Sequence, residues 1–282
     1  MSLRKLPGDI ESSVERALAE DIGTGDLTAD LVEPGLVARA EITIKEDATL
    51  CGSAWVNEVF RQLDPLVSIH WQASDGESIS RGSVVCTLSG PARVLLSGER
   101  TAINFLQTLS ATATATRRFV DEIAGTKAKI LDTRKTIPGH RAAQKYAVLC
   151  GGGCNHRHGL FDAVLIKENH IAASESLTAT IKRARAQSPS VLIEVEVETL
   201  EQVVEALATE ADRLLLDDFS ISDIRRAVEL RDQHDAPGKE LEASGGITLT
   251  NVRAVAETGV DWISVGSITK DIRAIDYSMR II

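Results

Sequence analysis

Residues 131–171 read LDTRKTIPGHRAAQKYAVLCGGGCNHRHGLFDAVLIKENHI and contain a clear change in the rhythm of the chain. An apolar strand pattern at 129–132 precedes a helical pattern at 141–149, and a second apolar strand pattern follows at 163–167. A strand, a helix and a strand in this order are typical of a parallel unit with a right-handed crossover. The stretch therefore predicts an α/β fold for this part of the chain.

The same alternation continues toward the C-terminus. We predict strands at 129–132, 163–167, 191–197, 213–217, 240–243 and 262–265, and helices at 141–149, 175–187, 199–208, 220–232 and 250–258. Parallel units of this kind form an open sheet or a barrel. A barrel is favoured because charged and small residues fall at the carboxyl ends of the strands, where barrel active sites lie. These residues are Arg134, Lys135, Lys167, Glu196, Asp217, Ser244 and Gly266.

The first part of the chain has a different pattern. It predicts helices at 9–20 and 52–63, a strand at 38–50, and short antiparallel strands at 67–71, 78–79 and 84–88. A helix follows at 92–123, where the small residues of ATATAT at 111–116 permit close packing against a neighbour. Residues 271–282 carry no strand signal and are expected to pack on this first part. The predicted domains are an α+β domain at 1–110, joined by 271–282, and an α/β domain at 111–270.

Composition excludes several classes of protein. A formal net charge of -10 and a pI near 5.2 argue against nucleic acid as a partner. No run approaches the ~18 apolar residues of a membrane helix, and the N-terminus, MSLRKLPGDI, has no apolar region of a secretory signal. Four cysteines in a chain of 282 residues do not form a disulfide framework. We expect a cytoplasmic protein with no membrane partner.

Residues 131–171 carry more Lys and Arg than Asp and Glu, although the whole chain has a formal net charge of -10. Arg presents a planar fork of donors and Lys a point charge, and both are suited to carboxylates and phosphates. Glycines at 151–153 add backbone N–H groups that a ligand can approach closely. The pattern predicts an anion pocket, although a solvated basic face is the alternative. Between Thr133 and His170 the chain holds six Lys or Arg and only two acids: Arg134, Lys135, Arg141, Lys145, Arg157 and Lys167 against Asp162 and Glu168.

Two glycine-containing turns follow the last two predicted strands, ASGGIT at 243–248 and SVGSIT at 264–269. Turns of small residues that open toward a helix form the phosphate site of many barrels. We interpret Ser244, Gly245, Gly246, Gly266 and Ser267 as the site of a phosphate group.

Several motifs together resemble the quinolinate phosphoribosyltransferases. The matching segments are EDIGTGDLT at 20–28, SGERTAINFLQ at 97–107, DTRKT at 132–136, NHR at 155–157, LIKENH at 165–170, EVEVET at 194–199, LLLDDF at 214–219, EASGGI at 242–247 and ISVGSIT at 263–269. The resemblance spans nearly the whole chain. It implies an incomplete parallel barrel of about six or seven strands with an N-terminal α+β sandwich domain.

The resemblance also implies a reaction and a set of site residues. Quinolinate and phosphoribosyl pyrophosphate (PRPP) would give nicotinate mononucleotide, pyrophosphate and CO₂, with Mg²⁺ as the cofactor. The implied catalytic residues are Lys135, Glu196 and Asp217, of which Glu196 and Asp217 contact ribose hydroxyls and Mg²⁺. The implied ligands of the two quinolinate carboxylates are Arg134, His156, Arg157 and Lys167. Lys135 would contact the pyrophosphate or the reacting ring, and Thr133 is a further substrate-binding residue.

The family comparison further implies that Arg100 reaches the site of a partner subunit in a homodimer. A symmetric dimer would bury the apolar helix after Arg100 from both chains, and the ATATAT run would permit close approach there.

Other interpretations remain at this point. Cys150 and Cys154 have a spacing found in zinc sites, whereas His156 and His158 do not. Lys167 at a strand end could form a Schiff base. The enzyme could act on another base or on a metal-transport ligand, or the barrel could only bind an anionic metabolite and regulate another protein.

Overall fold

The computed structural model describes residues 5–172, 174, 176–234 and 238–282. The chain forms two compact units. The first unit consists of Met1–Arg117, Ile137–Gly152 and Ile268–Ile282, and the second consists of Arg118–Thr136 and Gly153–Ser267. Residues 137–152 thus pack with the first unit, although they interrupt the sequence of the second.

The elements alternate throughout the second half of the chain. The helices are α1 (Ile10–Ile22), α2 (Ser53–Leu63), α3 (Ala92–Glu122), α4 (Arg141–Cys150), α5 (Glu168–Ala172), α6 (Leu177–Gln187), α7 (Leu200–Leu207), α8 (Ile221–Gln233), α9 (Val252–Ala256) and α10 (Ser267–Lys270). The strands are β1 (Val37–Ile44), β2 (Ala48–Thr49), β3 (Ser68–Trp71), β4 (Ser78–Ile79), β5 (Val84–Pro91), β6 (Lys129–Leu131), β7 (Val164–Ile166), β8 (Ile193–Val197), β9 (Arg213–Asp217), β10 (Glu240–Ser244), β11 (Trp262–Ser264) and β12 (Tyr277–Ile281).

The first unit is built on an antiparallel sheet in the order β12, β1, β5, β3. Burial alternates along strand β1: Ala40, Ile42 and Ile44 are fully buried, and the residues between them are not. Trp55 and Phe60 of α2 join these side chains in one core. The predicted strand at 38–50 is broken into β1 and β2. The tail contains a strand, β12, which pairs with β1, so the expectation of no strand there was wrong.

Helix α3 is buried by its own unit. Ala102, Ile103 and Leu109 belong to the core of that unit, and Ala113 and Thr116 of the ATATAT run are fully buried. The predicted close packing of this run is therefore confirmed, but it occurs within the chain. The expectation that this helix and run would supply a dimer surface stays a prediction.

The glycine at 151 explains this close packing. A Cβ atom added there would lie 2.5 Å from the carbonyl oxygen of Ala113 and 2.5 Å from Cβ of Thr116. Gly152 has a φ of 89°, and a Cβ atom added there would lie 3.1 Å from the guanidinium nitrogens of Arg117. The interpretation of these two glycines as an approach for a ligand was wrong, because protein atoms of the first unit fill that space.

We expect Gly151→Ala to destabilise the protein by roughly 1–3 kcal/mol, because the added methyl group must displace α3. The matched control is Gly8→Ala, since a Cβ atom at Gly8 meets nothing within 4 Å. Urea denaturation of the two variants measures both effects. Equal midpoints for Gly151→Ala and wild type would contradict the packing argument.

The second unit is built on a parallel sheet in the order β6, β11, β10, β9, β8, β7. Its strands are largely buried, as expected for a parallel sheet covered by helices. The six predicted strands and their parallel pairing are confirmed, with ends that differ by one or two residues. Residue 175, where one predicted helix begins, lies outside the described residues, and α6 begins after the cap residue Ser176. Leu131 of β6 also forms a parallel bridge with Cys154.

Two exclusions made from composition concern a disulfide framework and a membrane-spanning helix. Cys51, Cys86, Cys150 and Cys154 are not joined in disulfides. Within the described ranges, the helices are too short or too polar to cross a bilayer.

Candidate active site

A cavity of about 250 Å³ lies at the carboxyl ends of the parallel strands in the second unit. Carboxyl ends of neighbouring parallel strands meet at one edge of a sheet, so residues far apart in sequence converge there. The cavity brings together nine of the residues predicted for the site and four that were not assigned to it. Its lining is Thr133, Arg134, Lys135, His156, Arg157, Leu165, Lys167, Glu196, Leu215, Asp217, Glu242, Ser244 and Ser264.

The cations of the cavity come from the two ends of the sheet. Arg134 and Lys135 follow β6, and Lys167 follows β7. The backbone N–H of Lys135 donates to Oγ1 of Thr133 at 3.0 Å, which fixes the turn after β6. Burial and the neighbouring Arg134 guanidinium lower the pKa of Arg157. Two guanidinium groups so close together create a strongly positive wall that suits a ligand with more than one negative charge.

The acids of the cavity come from the middle of the sheet. Glu196 lies on β8 and Asp217 ends β9. Nζ of Lys167 contacts Oε2 of Glu196 as an ion pair. Burial raises the pKa of Asp217, as do the nearby carboxylates of Glu196 and Asp218. Carboxylates that repel one another offer oxygen ligands for a divalent cation, and Mg²⁺ needs only one or two of them when a substrate supplies the rest.

Two acids next to the cations of the cavity, Glu194 and Glu242, are fully buried. Nε2 of His156 lies 2.8 Å from a carboxylate oxygen of Glu194 and 3.6 Å from one of Glu242. Arg213 donates to Oε2 of Glu242 at 3.3 Å, and it donates to Glu240 as well. Burial and the Glu194 carboxylate raise the pKa of Glu242 to about 8, and burial also raises the pKa of Glu194. Burial therefore favours the neutral, protonated form of Glu242.

The protonation of Glu242 makes stability depend on pH. Because its pKa is about 8 in the folded chain against an ordinary value of 4.5, the contribution of Glu242 is complete below pH 4.5 and is lost as the pH rises toward 8. We expect the free energy of unfolding of Glu242→Gln, relative to wild type, to increase by up to ~1.4 kcal/mol per pH unit across this window. Denaturation at several pH values measures it.

The control for this series is Leu241→Met, an uncharged change at a buried neighbour on the same strand. Its difference from wild type should not vary with pH. A constant difference for Glu242→Gln between pH 5 and 8 would show that Glu242 does not take up a proton on folding.

The two glycine-containing turns differ from the pattern expected for a phosphate site. Ser244 lines the cavity, whereas Gly245, Gly246, Gly266 and Ser267 are not part of its lining. A Cβ atom at Gly245 would lie 2.1 Å from Oδ1 of Asp218. The absence of a side chain at Gly245 therefore leaves room for the Asp218 carboxylate. Helix α9 begins only at Val252 and has five residues, and α10 has four. The first turn thus does not open directly into a helix, and the phosphate assignment stays a prediction.

Several other predicted residues lie elsewhere. Arg100 belongs to α3 in the first unit, where its side chain is 58% exposed and lies 3.8 Å from Glu99. Among the described residues, the groups with metal-ligand geometry are Cys51, Asp75 and Cys150, and separately His156, Glu194 and Glu242. Cys150 and Cys154 do not share such a group, so the spacing of these two cysteines did not indicate a zinc site.

Sequence reasoning considered Glu194 as an inward-facing acid that needs a cation and Glu242 as a weaker site candidate, but it missed Arg213, which contacts Glu242 in the buried network. Glu194 and Glu240 are both register partners of Arg213 in the parallel sheet. The available signal was the position of these charges inside apolar runs that predict buried strands, because a buried charge requires a partner. The apolar lining residues, Leu165 and Leu215, gave no signal that distinguishes them from core residues.

The fold and the cavity define an α/β protein with a cavity of mixed charge at its strand ends. The family model "Quinolinate phosphoribosyl transferase, N-terminal domain" matches residues 26–110, and the corresponding C-terminal domain matches 112–280. The chain belongs to the quinolinate phosphoribosyltransferase family.

Individual relatives agree with this assignment. The chain is 43% identical to a probable nicotinate-nucleotide pyrophosphorylase [carboxylating] of Bacillus subtilis, over 93% of this chain and 90% of the relative. It is 40% identical to the Mycobacterium leprae enzyme of the same name, over 95% of each chain. The solved structure of the nicotinate-nucleotide pyrophosphorylase from Francisella tularensis has a TM-score of 0.94 and 46% identity, and the match covers 99% of this chain and 98% of that chain.

Proposed function

We propose that the protein transfers the phosphoribosyl group of PRPP to quinolinate with loss of CO₂, which gives nicotinate mononucleotide and pyrophosphate. The observation that carries the proposal is the cavity with four cations, Arg134, Lys135, Arg157 and Lys167, beside the acids Glu196 and Asp217. The names of the relatives, which specify a carboxylating pyrophosphorylase, support the same reaction.

The cationic side of the cavity fits the dicarboxylate. Quinolinate carries two adjacent carboxylates, and Arg134 and Arg157 can each form two parallel hydrogen bonds with one of them. The pyridine nitrogen is then held facing C1 of the ribose, and this positioning supplies much of the rate. As the C1–O bond to pyrophosphate breaks, Lys135 is placed to stabilise the negative charge of the leaving group.

The decarboxylation follows from the charge of the product ring. Once the nitrogen bears the ribose, its positive charge accepts the electron pair left on the adjacent ring carbon when the C–C bond to CO₂ breaks. That carbon then takes up a proton. No oxidant is required, because the electron pair stays on the ring.

The acidic side of the cavity fits a metal-bound PRPP. Glu196 and Asp217 can hold ribose hydroxyls and supply oxygen ligands to Mg²⁺, as can the phosphate oxygens of the substrate. When bound, Mg²⁺ supplies positive charge that stabilises the departing pyrophosphate. Ser244, with the neighbouring turns, is placed to bind the 5-phosphate.

Strand order supports a curled sheet that forms an incomplete barrel. The first strand, β6, lies beside the last strand, β11, and β7 lies at the opposite end of the order. Arg134 after β6 and Lys167 after β7 nevertheless line the same cavity. Curvature of both ends of the sheet toward that cavity would account for this, and the isolated parallel bridge from Leu131 to Cys154 extends the pairing beyond β6.

The proposed domains remain 1–110, joined by 271–282, and 111–270, although the C-terminal family model extends to residue 280. The boundary between residues 110 and 111 falls between the two matched regions. The pairing of β12 with β1 supports the addition of residues 271–282 to the first domain.

One assay tests the proposed function directly. The protein is incubated with Mg²⁺ and PRPP together with quinolinate, or with nicotinate in its place, and nucleotide and CO₂ are measured. We expect both products in equal amounts with quinolinate and none with nicotinate. Nucleotide from nicotinate without CO₂ would assign the protein to another base, and no product from either substrate would contradict an enzymatic role.

Arg134→Lys should raise the KM for quinolinate by at least ~10-fold although the charge is retained, because an ammonium group cannot supply the two parallel hydrogen bonds. Steady-state kinetics with quinolinate as the varied substrate measure the change. The matched control, Arg141→Lys, lies in the same stretch of sequence but outside the cavity lining, and it should leave the KM unchanged. An unaltered KM in Arg134→Lys would remove Arg134 from the carboxylate site.

Asp217→Asn and Glu196→Gln should raise the KM for PRPP and the Mg²⁺ concentration that gives half the maximal rate, because each loses an oxygen ligand with a full charge. Quinolinate binding in the absence of PRPP should change little. The control is Glu198→Gln, since Glu198 is exposed and lies outside the cavity lining. Normal dependence on PRPP and Mg²⁺ in both variants would contradict the assignment.

Arg100 tests the proposed homodimer. Its exposed side chain is suited to enter the site of a partner subunit, as the family resemblance implies. Arg100→Ala and Lys167→Ala proteins, each nearly inactive alone, should recover part of the activity after mixing and subunit exchange, because one hybrid site then holds both residues. Activity of the mixture is compared with that of each variant, and exchange is confirmed by mass spectrometry. No recovery despite exchange would place Arg100 outside any shared site.

A further inference from the structure

Two thiols and a carboxylate converge in the first unit, in a cluster formed by Cys51, Asp75 and Cys150. One ligand atom of each residue lies within 4.8 Å of the other two. Cys51 follows β2, Asp75 lies in the turn before β4, and Cys150 ends α4. Both thiols are completely buried, whereas Asp75 is half-buried. The Cys51–Asp75–Cys150 cluster therefore joins three separate segments, and Asp75 is its most exposed member.

Hydrogen bonds fix the positions of these groups. The backbone N–H groups of Gly52 and Ser53 each donate to the Asp75 carboxylate at 3.2 Å. The hydroxyl of Tyr146 donates to Oδ2 of Asp75 at 3.0 Å. Support of this kind around a carboxylate is what orients metal ligands in proteins.

The backbone of Cys51 is held equally firmly. Oγ of Ser110 accepts from the N–H of Cys51 at 3.0 Å and lies 3.1 Å from its carbonyl oxygen. The same hydroxyl lies 2.9 Å from the hydroxyl of Tyr277. Cys150 is positioned by the contact of its neighbour Gly151 with α3. The three ligand atoms are thus presented by backbone that has little freedom to move apart.

The chemistry of two sulfurs and one oxygen selects a class of ion. Thiolates favour Zn²⁺ over the hard cations Mg²⁺ and Ca²⁺. Bonds of ~2.3 Å to sulfur in a tetrahedron place two sulfurs roughly 3.8 Å apart. The observed spacing of at most 4.8 Å needs a movement of about 1 Å or less to reach that geometry. Water, or the hydroxyl of Tyr146, is placed to complete the fourth position.

We propose that Cys51, Asp75 and Cys150 form a binding site for one Zn²⁺ ion in the first unit. The ion would tie the segment after β2 and the turn before β4 to the end of α4, and its binding would stabilise the folded unit. Both thiols lose their protons when they bind the ion, and these protons pass to solvent. The site is separate from the cavity of the second unit, and it does not depend on the function proposed for that cavity.

Metal titrations of the full chain test the site. The reduced, metal-free protein is titrated with Co²⁺ as a spectroscopic probe and then with Zn²⁺, and bound metal is counted after equilibrium dialysis. We expect one Co²⁺ per chain with a thiolate-to-metal absorption band, displaced by one equivalent of Zn²⁺. A weaker absorption without that band would overturn the proposal, as would binding of no metal by the reduced protein.

Variants identify the ligands. Cys51→Ser and Cys150→Ser should each reduce Zn²⁺ affinity by at least ~100-fold, whereas Cys154→Ser, a free cysteine outside the cluster, should leave it unchanged. Asp75→Asn should weaken binding while it preserves the size of the side chain, so it reports on the site even if a cysteine variant does not fold. Equal loss in Cys154→Ser, unchanged affinity in Asp75→Asn, or a Cys51–Cys150 disulfide in place of bound metal would overturn the proposal.

Discussion

The second unit depends on the compensation of two buried acids, Glu194 and Glu242. A carboxylate with no access to water is costly unless a proton or a cation neutralises it. Arg213 and His156 both approach this pair, and burial together with the Glu194 charge raises the pKa of Glu242. The contact with Glu194 holds His156 and the neighbouring Arg157 beside the cavity. The same buried network therefore supports both the sheet and the cations that line the cavity.

The cavity beside this network brings cations and carboxylates together from different strands. Arg134 follows β6 and Lys167 follows β7, while Glu196 lies on β8 and Asp217 ends β9. Lys167 and Glu196 form an ion pair within the cavity. The proposed transfer uses both signs of charge, because the cations can hold anionic groups of the substrates while the carboxylates can accept hydrogen bonds from ribose hydroxyls.

Much of this arrangement could be predicted from the sequence, because the parallel strands have long apolar runs and the charged residues follow them directly. Contacts between distant segments could not be predicted. No periodicity indicates that Gly151 packs on Ala113 or that Cys150 lies near Cys51 rather than Cys154. The tail was misjudged because β12 is an edge strand whose exposed end residues give it a weak alternating pattern.

The central claim is that the cationic wall recognises two carboxylates on one ring. Calorimetric titration of the wild-type protein with quinolinate, and with nicotinate, tests this claim most directly. A charged hydrogen bond contributes ~1.5–3 kcal/mol, so the Kd for quinolinate should be at least ~10-fold lower than that for nicotinate, and it should rise with added salt. Equal Kd values for the two ligands would contradict the account.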